Sequence, residues 1–161
     1  VKAKPYKIAL KFFAIIAVLH LSALQVLAQQ SAVVPQERAS MLQYIVETKP
    51  ALGDLIAKAG LAPTLSGDAV YTFLVPSNGE ISKLQNEPAQ RIRTVLSGHI
   101  LKGKYLESDL KDGATIETLA GTKLTVCRKK DYTLVNGVRI EAANTEVKNG
   151  VIHNLSGAVK I

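Results

Sequence analysis

From about residue 38 onward the apolar positions recur first at helical spacing and then at strand spacing. In SMLQYIVE (40–47), Met41, Leu42, Ile45 and Val46 stand at offsets of one, four and five, which places them on one helical face. A second helix is predicted over PALGDLIAKAG (50–60). Pro50 fits its first turn, Gly60 ends it, and Leu52, Leu55, Ile56 and Ala59 form its apolar stripe. The period then changes. Tyr71 to Val75 is β-branched and aromatic and reads as a strand, stopped by Pro76. Ser77 followed three residues later by Glu80 has the form of a capping box at a helix start. EPAQRIRTVLSGHILKG (87–103) predicts a further helix carrying Ile92, Val95, Leu96 and His99, weakened or ended by Gly98 and Gly103.

After Ala114 the chain reads mainly as strands: TIETLAGTKLTVCR (115–128), YTLVNGVRIEAANTEV (132–147) and NGVIHNL (149–155). Asn136 and Gly137 lie between TLV and VRI and mark a hairpin, because both residues tolerate positive φ in a two-residue turn. Helices followed by antiparallel strands predict an α+β domain with its helices mostly in the N-terminal half.

The first 28 residues carry Lys2, Lys4, Lys7 and Lys11 ahead of an apolar run from Phe12, with small residues Val26 and Ala28 before Gln29. This is the pattern of a secretory signal peptide cleaved after Ala28, and its compact form points to a bacterial source. An uncleaved anchor is the alternative, since about 20 apolar residues span a bilayer, but His20, Ser22 and Gln25 interrupt the run. Residues 29–37 read as a short flexible lead-in, and 38–161 as one domain. The signal peptide also changes the charge. The whole chain has 20 basic and 13 acidic side chains; without the four lysines, 16 stand against 13, a net +3. That is too little and too dispersed for a nucleic-acid footprint. The single cysteine, Cys127, cannot close an internal disulfide and reads as a small buried filler.

Two histidines remain after position 28, His99 and His153. Strand alternation places His153 on one face with Val151 and Leu155, where its ring nitrogens are expected to bond backbone or polar neighbours. Asn149 and Gly150 read as the turn feeding that strand. His99, at a helix end, is placed to cap carbonyls there. No spacing supports a metal site. Ser77, Ser97 and Ser108 lie in no nucleophile elbow, the acidic residues around Glu107 and Asp112 read as solvated loop, and no phosphate-binding loop is present. CRKKD (127–131) sets Arg128, Lys129 and Lys130 in a turn beside Tyr132, a candidate contact for anionic polysaccharide or lipid headgroups.

Three blocks in order carry a family resemblance: YTFLVPSN (71–78), LSGHILKGKY (96–105) and NGVIH (149–153). Through Thr72, Phe73, Pro76, Ser77 and Asn78, then His99, then Thr118 to Gly121, then Asn149, Gly150 and His153, residues 38–161 resemble the fasciclin domain family. The resemblance implies a wedge of two packed β-sheets with several helices. It further implies a secreted or surface location and a role in adhesion or matrix contact rather than catalysis, and it places His99 beside a surface linked with adhesion, as a candidate interaction residue. The chain departs from the family pattern at Gly98, where many members have tyrosine, and at Ser156, where many have aspartate; it also lacks an Arg-Gly-Asp tripeptide. Animal-type integrin binding is therefore not carried over.

The expectation is an exported, non-catalytic module for adhesion or for contact with a matrix or envelope component, protein or polysaccharide. It would have no cofactor and no nucleic-acid partner, and would meet the membrane only through its signal peptide. The alternative is a periplasmic protein that binds a small molecule or glycan in a pocket between sheet and helices.

Overall fold

A computed structural model describes residues 38–161. The expected signal peptide (1–28) and lead-in (29–37) lie outside the described residues. Helix α1 (Met41–Thr48) begins where the Ser40 hydroxyl accepts the Gln43 amide at 3.2 Å, which satisfies one of the donors that every helix start leaves open. Met41 and Ile45 are buried, but Val46, expected on the same face, is 51% exposed. In α2 (Pro50–Lys58) the proline takes the first turn, where no amide donor is needed, and Leu52, Leu55, Ile56 and the following Ala59 are all buried. A short α3 (Ala62–Ser66) buries Leu65. It is too brief to show a period in sequence.

Strand β1 (Tyr71–Val75) follows, then α4 (Asn78–Leu84) and α5 (Ala89–Ser97). The capping box does not form. The Ser77 carbonyl, not its hydroxyl, accepts the amides of Glu80 and Ile81, and the Glu80 carboxylate turns outward to Lys83 at 2.6 Å. The helix predicted within 87–103 stops at Gly98, the first of the two glycines expected to weaken or end it, and Ile100–Lys102 form strand β2. Ile100 continues the helical spacing of Ile92 and Leu96, but a place beside β1, with Ile100 opposite Phe73, satisfies its backbone and wins over local period.

The remaining strands are β3 (Thr115–Glu117), β4 (Lys123–Arg128), β5 (Thr133–Val135), β6 (Val138–Val147) and β7 (Gly150–Leu155). They join in the order β2-β1-β7-β6-β5-β4-β3, with β1 and β7 parallel and every other pair antiparallel. The β5–β6 turn has φ of 49° at Asn136 and 81° at Gly137, as the hairpin signal predicts.

The two packed sheets implied by the resemblance are two halves of this single order. Its ends meet, since Leu101 bridges Thr118 and the Leu119 amide donates to the Ile100 carbonyl at 2.6 Å. The sheet folds back at β6, whose pairing with β7 shifts register twice between Ile140 and Thr145. Side chains alternate accordingly. Leu74, Leu101 and Leu155 point between the halves and meet Leu124, Val126 and Val135, while Phe73, Val75 and Ile152 face the helices and pack with Ile45, Leu52 and Ile92. Each fully buried residue of this kind contributes roughly 1.5–3 kcal/mol. Cys127, expected in the core, is only half-buried, because β4 sends Leu124 and Val126 inward.

The β1–β7 pair allows no side chain at its first rung. Gly150 has φ of 149°, and a Cβ built there would stand 1.8 Å from the Tyr71 carbonyl oxygen. Gly150→Ala is expected to lower stability in urea denaturation by about 3 kcal/mol or more. Gly79→Ala, on an open helical surface with nothing within 4 Å, is expected to be neutral or stabilising by up to about 1 kcal/mol. Equal effects of the two substitutions would contradict this reading.

Candidate functional site

Among the described residues six polar ones are buried: Thr72, His99, Thr118, Thr133, Asn149 and His153. Five of the positions in the resemblance motifs, Thr72, His99, Thr118, Asn149 and His153, are among them, and all five bond to backbone. Thr72 accepts the Tyr105 amide and donates to the Gly103 carbonyl, both at 2.8 Å, which ties β1 to the loop after β2. Phe73 on the other face is fully buried, Pro76 is buried at the strand end, and Ser77 and Asn78 lead into α4 with Asn78 exposed.

Asn149 is more than a turn residue. Its Oδ1 accepts the first amide of α1, Met41, at 2.7 Å, and its Nδ2 donates to the carbonyls of Leu65 at 2.9 Å and Gly67 at 3.0 Å. The start of α1 and the end of α3 are thus clamped to the start of β7. Both functions of the amide are used, and its carbonyl also accepts the Tyr71 amide at 3.2 Å.

His153 lies between the sheet halves. Its Nδ1 accepts the Asn144 amide at 3.1 Å, so the proton resides on Nε2, which donates to the Tyr105 carbonyl at 2.8 Å. Asn144 is the irregular point of β6, with φ of 62°, and its Oδ1 accepts the Glu107 amide at 2.7 Å. The Glu107 carboxylate in turn accepts the Thr133 hydroxyl at 2.9 Å. His99 has the opposite tautomer. Its Nδ1–H donates to the Val95 carbonyl in the last turn of α5 at 2.8 Å, and Nε2 accepts the Val159 amide at 2.9 Å.

Burial holds both imidazoles below their ordinary pKa. The Val95 carbonyl at His99, and the Tyr105 carbonyl and Glu107 charge at His153, pull only partly the other way. His99 has no exposed surface. An interaction role through direct contact is closed to it, because the ring that caps the helix is sealed beneath Val159.

The basic turn is on the surface, but its three cations differ. The Arg128 guanidinium donates to the Glu107 carbonyl at 2.8 Å, and the Arg128 amide to Asp112 at 2.7 Å, so Arg128 is committed to holding β4 against the 107–112 loop. Lys129 and Lys130 are exposed at the tip, which closes through the Lys129 amide and the Tyr132 carbonyl at 2.8 Å. Arg139, not anticipated as part of this patch, lies 4.9 Å from the centre of the Tyr132 ring. The Asn-Gly turn held the clue: it sets Arg139 opposite Leu134 and hence diagonal to Tyr132. Among the described residues no group of three or more His, Cys, Asp or Glu is placed to hold a metal ion.

The fasciclin domain model matches residues 50–159. The chain belongs to the fasciclin domain family. It is 36% identical over 124 residues to the pig transforming growth factor-beta-induced protein ig-h3, covering 70% of this chain and 18% of that protein. It is 28% identical over 128 residues to human periostin, covering 79% and 15%. A shorter relative, protein sll1483 of Synechocystis, is 28% identical over 140 residues, covering 78% of this chain and 77% of its own length. Among solved structures, a FAS1 domain pair from the insect cell adhesion molecule Fasciclin I superimposes with a TM-score of 0.60 at 14% identity, over 78% of this chain and 52% of that one, and so shares the fold. This fasciclin chain spans less than a fifth of the length of the two animal proteins it matches.

Both buried histidines link stability to pH. Their pKa values are lower folded than unfolded, so below about 6.5 the unfolded chain takes up protons that the folded one refuses. The denaturation midpoint is expected to be level above pH 7.5 and to fall as pH drops from about 6.5 towards the depressed folded values; a flat or rising profile in that window would contradict the assignment. Asn149→Asp keeps the acceptor for Met41 but turns the donor to Leu65 and Gly67 into a second oxygen. A loss of roughly 2–4 kcal/mol at pH 7 is expected in urea denaturation.

Proposed function

We propose that this chain is an exported, non-catalytic interaction module. It contacts a cell-surface, matrix or envelope component, and the tip of the β4–β5 hairpin is part of its contact face. The observation that carries the reading is the pairing of a fasciclin domain with an exposed cationic and aromatic tip: Lys129, Lys130 and the stacked Tyr132 and Arg139. Both histidine rings are occupied by backbone partners on both nitrogens, which leaves neither in position to activate a nucleophile. The Fasciclin I structure comes from a cell adhesion molecule, and the same kind of task fits a surface of exposed charge around a rigid, backbone-bonded interior. Export by the N-terminal segment would deliver the domain to the periplasm or beyond. Among the described residues no helix is long and apolar enough to cross a membrane.

A second reading, a periplasmic binder of a small molecule or glycan, is favoured by one observation. A groove of about 620 Å³ lies between α4, α5 and residues 158–161, with Leu84, Val95 and Val159 beside Lys83, Arg91 and Lys160. The two readings put binding on different faces.

The test is binding of the protein to an acidic polysaccharide at increasing salt. Lys129→Ala/Lys130→Ala is expected to weaken binding about tenfold and to flatten its salt dependence. Arg91→Ala is expected to leave it unchanged. Loss with Arg91→Ala alone would move the site to the groove, and retention in both variants would remove the hairpin tip from the account.

A further inference from the structure

Beyond β7 the chain continues as a strap, residues 157–161, that forms no strand of its own. Three hydrogen bonds tie it down. The Ser77 amide donates to the Gly157 carbonyl at 3.3 Å, the Val159 amide to His99 Nε2 at 2.9 Å, and the Asn136 side chain to the Lys160 carbonyl at 3.2 Å. The middle bond is the shortest and is buried. Val159 itself is buried in the core between the sheet halves. Ile161 closes over Gly98, where a Cβ would come within 2.1 Å of its Cδ1. The residue beside His99 is therefore bare where the strap closes. With α4 and α5, the strap walls the groove of about 620 Å³, contributing Val159 and Ile161 to its lining.

We propose that the strap is a latch on this groove, closed while His99 is neutral and released when the ring takes up a proton. The geometry gives the two ring nitrogens different fates. Nδ1 already donates to Val95, and a proton on the ring leaves that bond in place. Nε2 is the acceptor for Val159, and a proton there sets one N–H against another and orphans a buried amide. The ring therefore stays with α5 while the strap loses its central tie, and two longer bonds near the surface remain. Release admits water to the ring and relieves the burial that keeps it neutral, so opening and proton uptake reinforce each other.

The charged and titratable groups on the surrounding elements are Arg91 and Arg93 on α5, Glu80 and Lys83 on α4, Glu87 between those two helices, Lys160 on the strap and Tyr71 on β1. Glu80 is paired with Lys83 at 2.6 Å and Glu87 lines the groove, but burial and the Val95 carbonyl, not a carboxylate, act on the His99 ring in the closed state. His153 differs. Its acceptor bond is to Asn144 within β6, which the β7 ladder retains. The latch stands apart from what the hairpin tip binds.

Amide hydrogen exchange followed by NMR tests it on the whole protein. Between pH 7.5 and 5.0, the protection factor of the Val159 amide, corrected for intrinsic exchange, is expected to fall at least about tenfold more than those of Phe73 and Ile152. His99→Gln offers an acceptor oxygen that does not titrate, and should abolish this selective fall. Gly98→Ala pushes Ile161 aside without touching the ring, and should lower Val159 protection at pH 7.5 already. The proposal is overturned if Val159 loses protection only in step with Phe73 and Ile152, or if the selective fall persists in His99→Gln. Should His99→Gln fail to fold, wild-type protection at Val159 in Gly98→Ala at pH 7.5 overturns it as well.

Discussion

The parallel contact between β1 and β7 is the constraint on which the rest of the structure depends. Tyr71 lies opposite Gly150 in this pair, so residues far apart in sequence must meet without a hairpin to align them, and their loop entropy is recovered only when the register is right. The first rung admits only glycine, because the Tyr71 carbonyl occupies the space of a side chain. The next residue back, Asn149, fixes the same end by bonding the start of α1 and the end of α3. One turn thereby sets the register of the central strands and the docking of the first helices.

The same economy governs the other buried polar groups. Thr72, His99 and His153 each join two backbone segments that the sheet and helices leave unpaired. Their partners are peptide groups, so none of them holds a charge in the interior, where a charge would be costly. This gives the domain a rigid interior that needs no disulfide, and it leaves recognition to the outside. The surface around Lys129, Lys130, Tyr132 and Arg139 fits that division, since its own turn is closed by backbone and its side chains remain available.

Much of this was legible in the chain itself. The stripe of Leu52, Leu55, Ile56 and Ala59, the strand from Tyr71 to Val75 and the Asn136–Gly137 hairpin each follow from a local period or a turn preference that the tertiary structure does not oppose. The failures have tertiary causes. Ile100 keeps helical spacing but is claimed by β1, and Val46 sits at the edge of a stripe too wide for the surface it meets. Ser77 and Glu80 have the spacing of a capping box, yet the backbone carbonyl and Lys83 serve their partners better. Asn149 read as a turn because the three partners of its side chain lie 82 or more positions away in the chain. The commitment of Arg128 and the stacking of Arg139 are likewise products of strand register, which composition does not carry.

The central claim is that the two histidines are neutral ties between backbone segments and not reactive groups. Long-range proton–nitrogen NMR of the imidazole rings at pH 7.5 tests it most directly, because it reports tautomer and charge for each ring separately. The account predicts two neutral rings of opposite kind, His99 protonated on Nδ1 and His153 on Nε2. A charged ring, or rapid averaging between tautomers at either position, would contradict it.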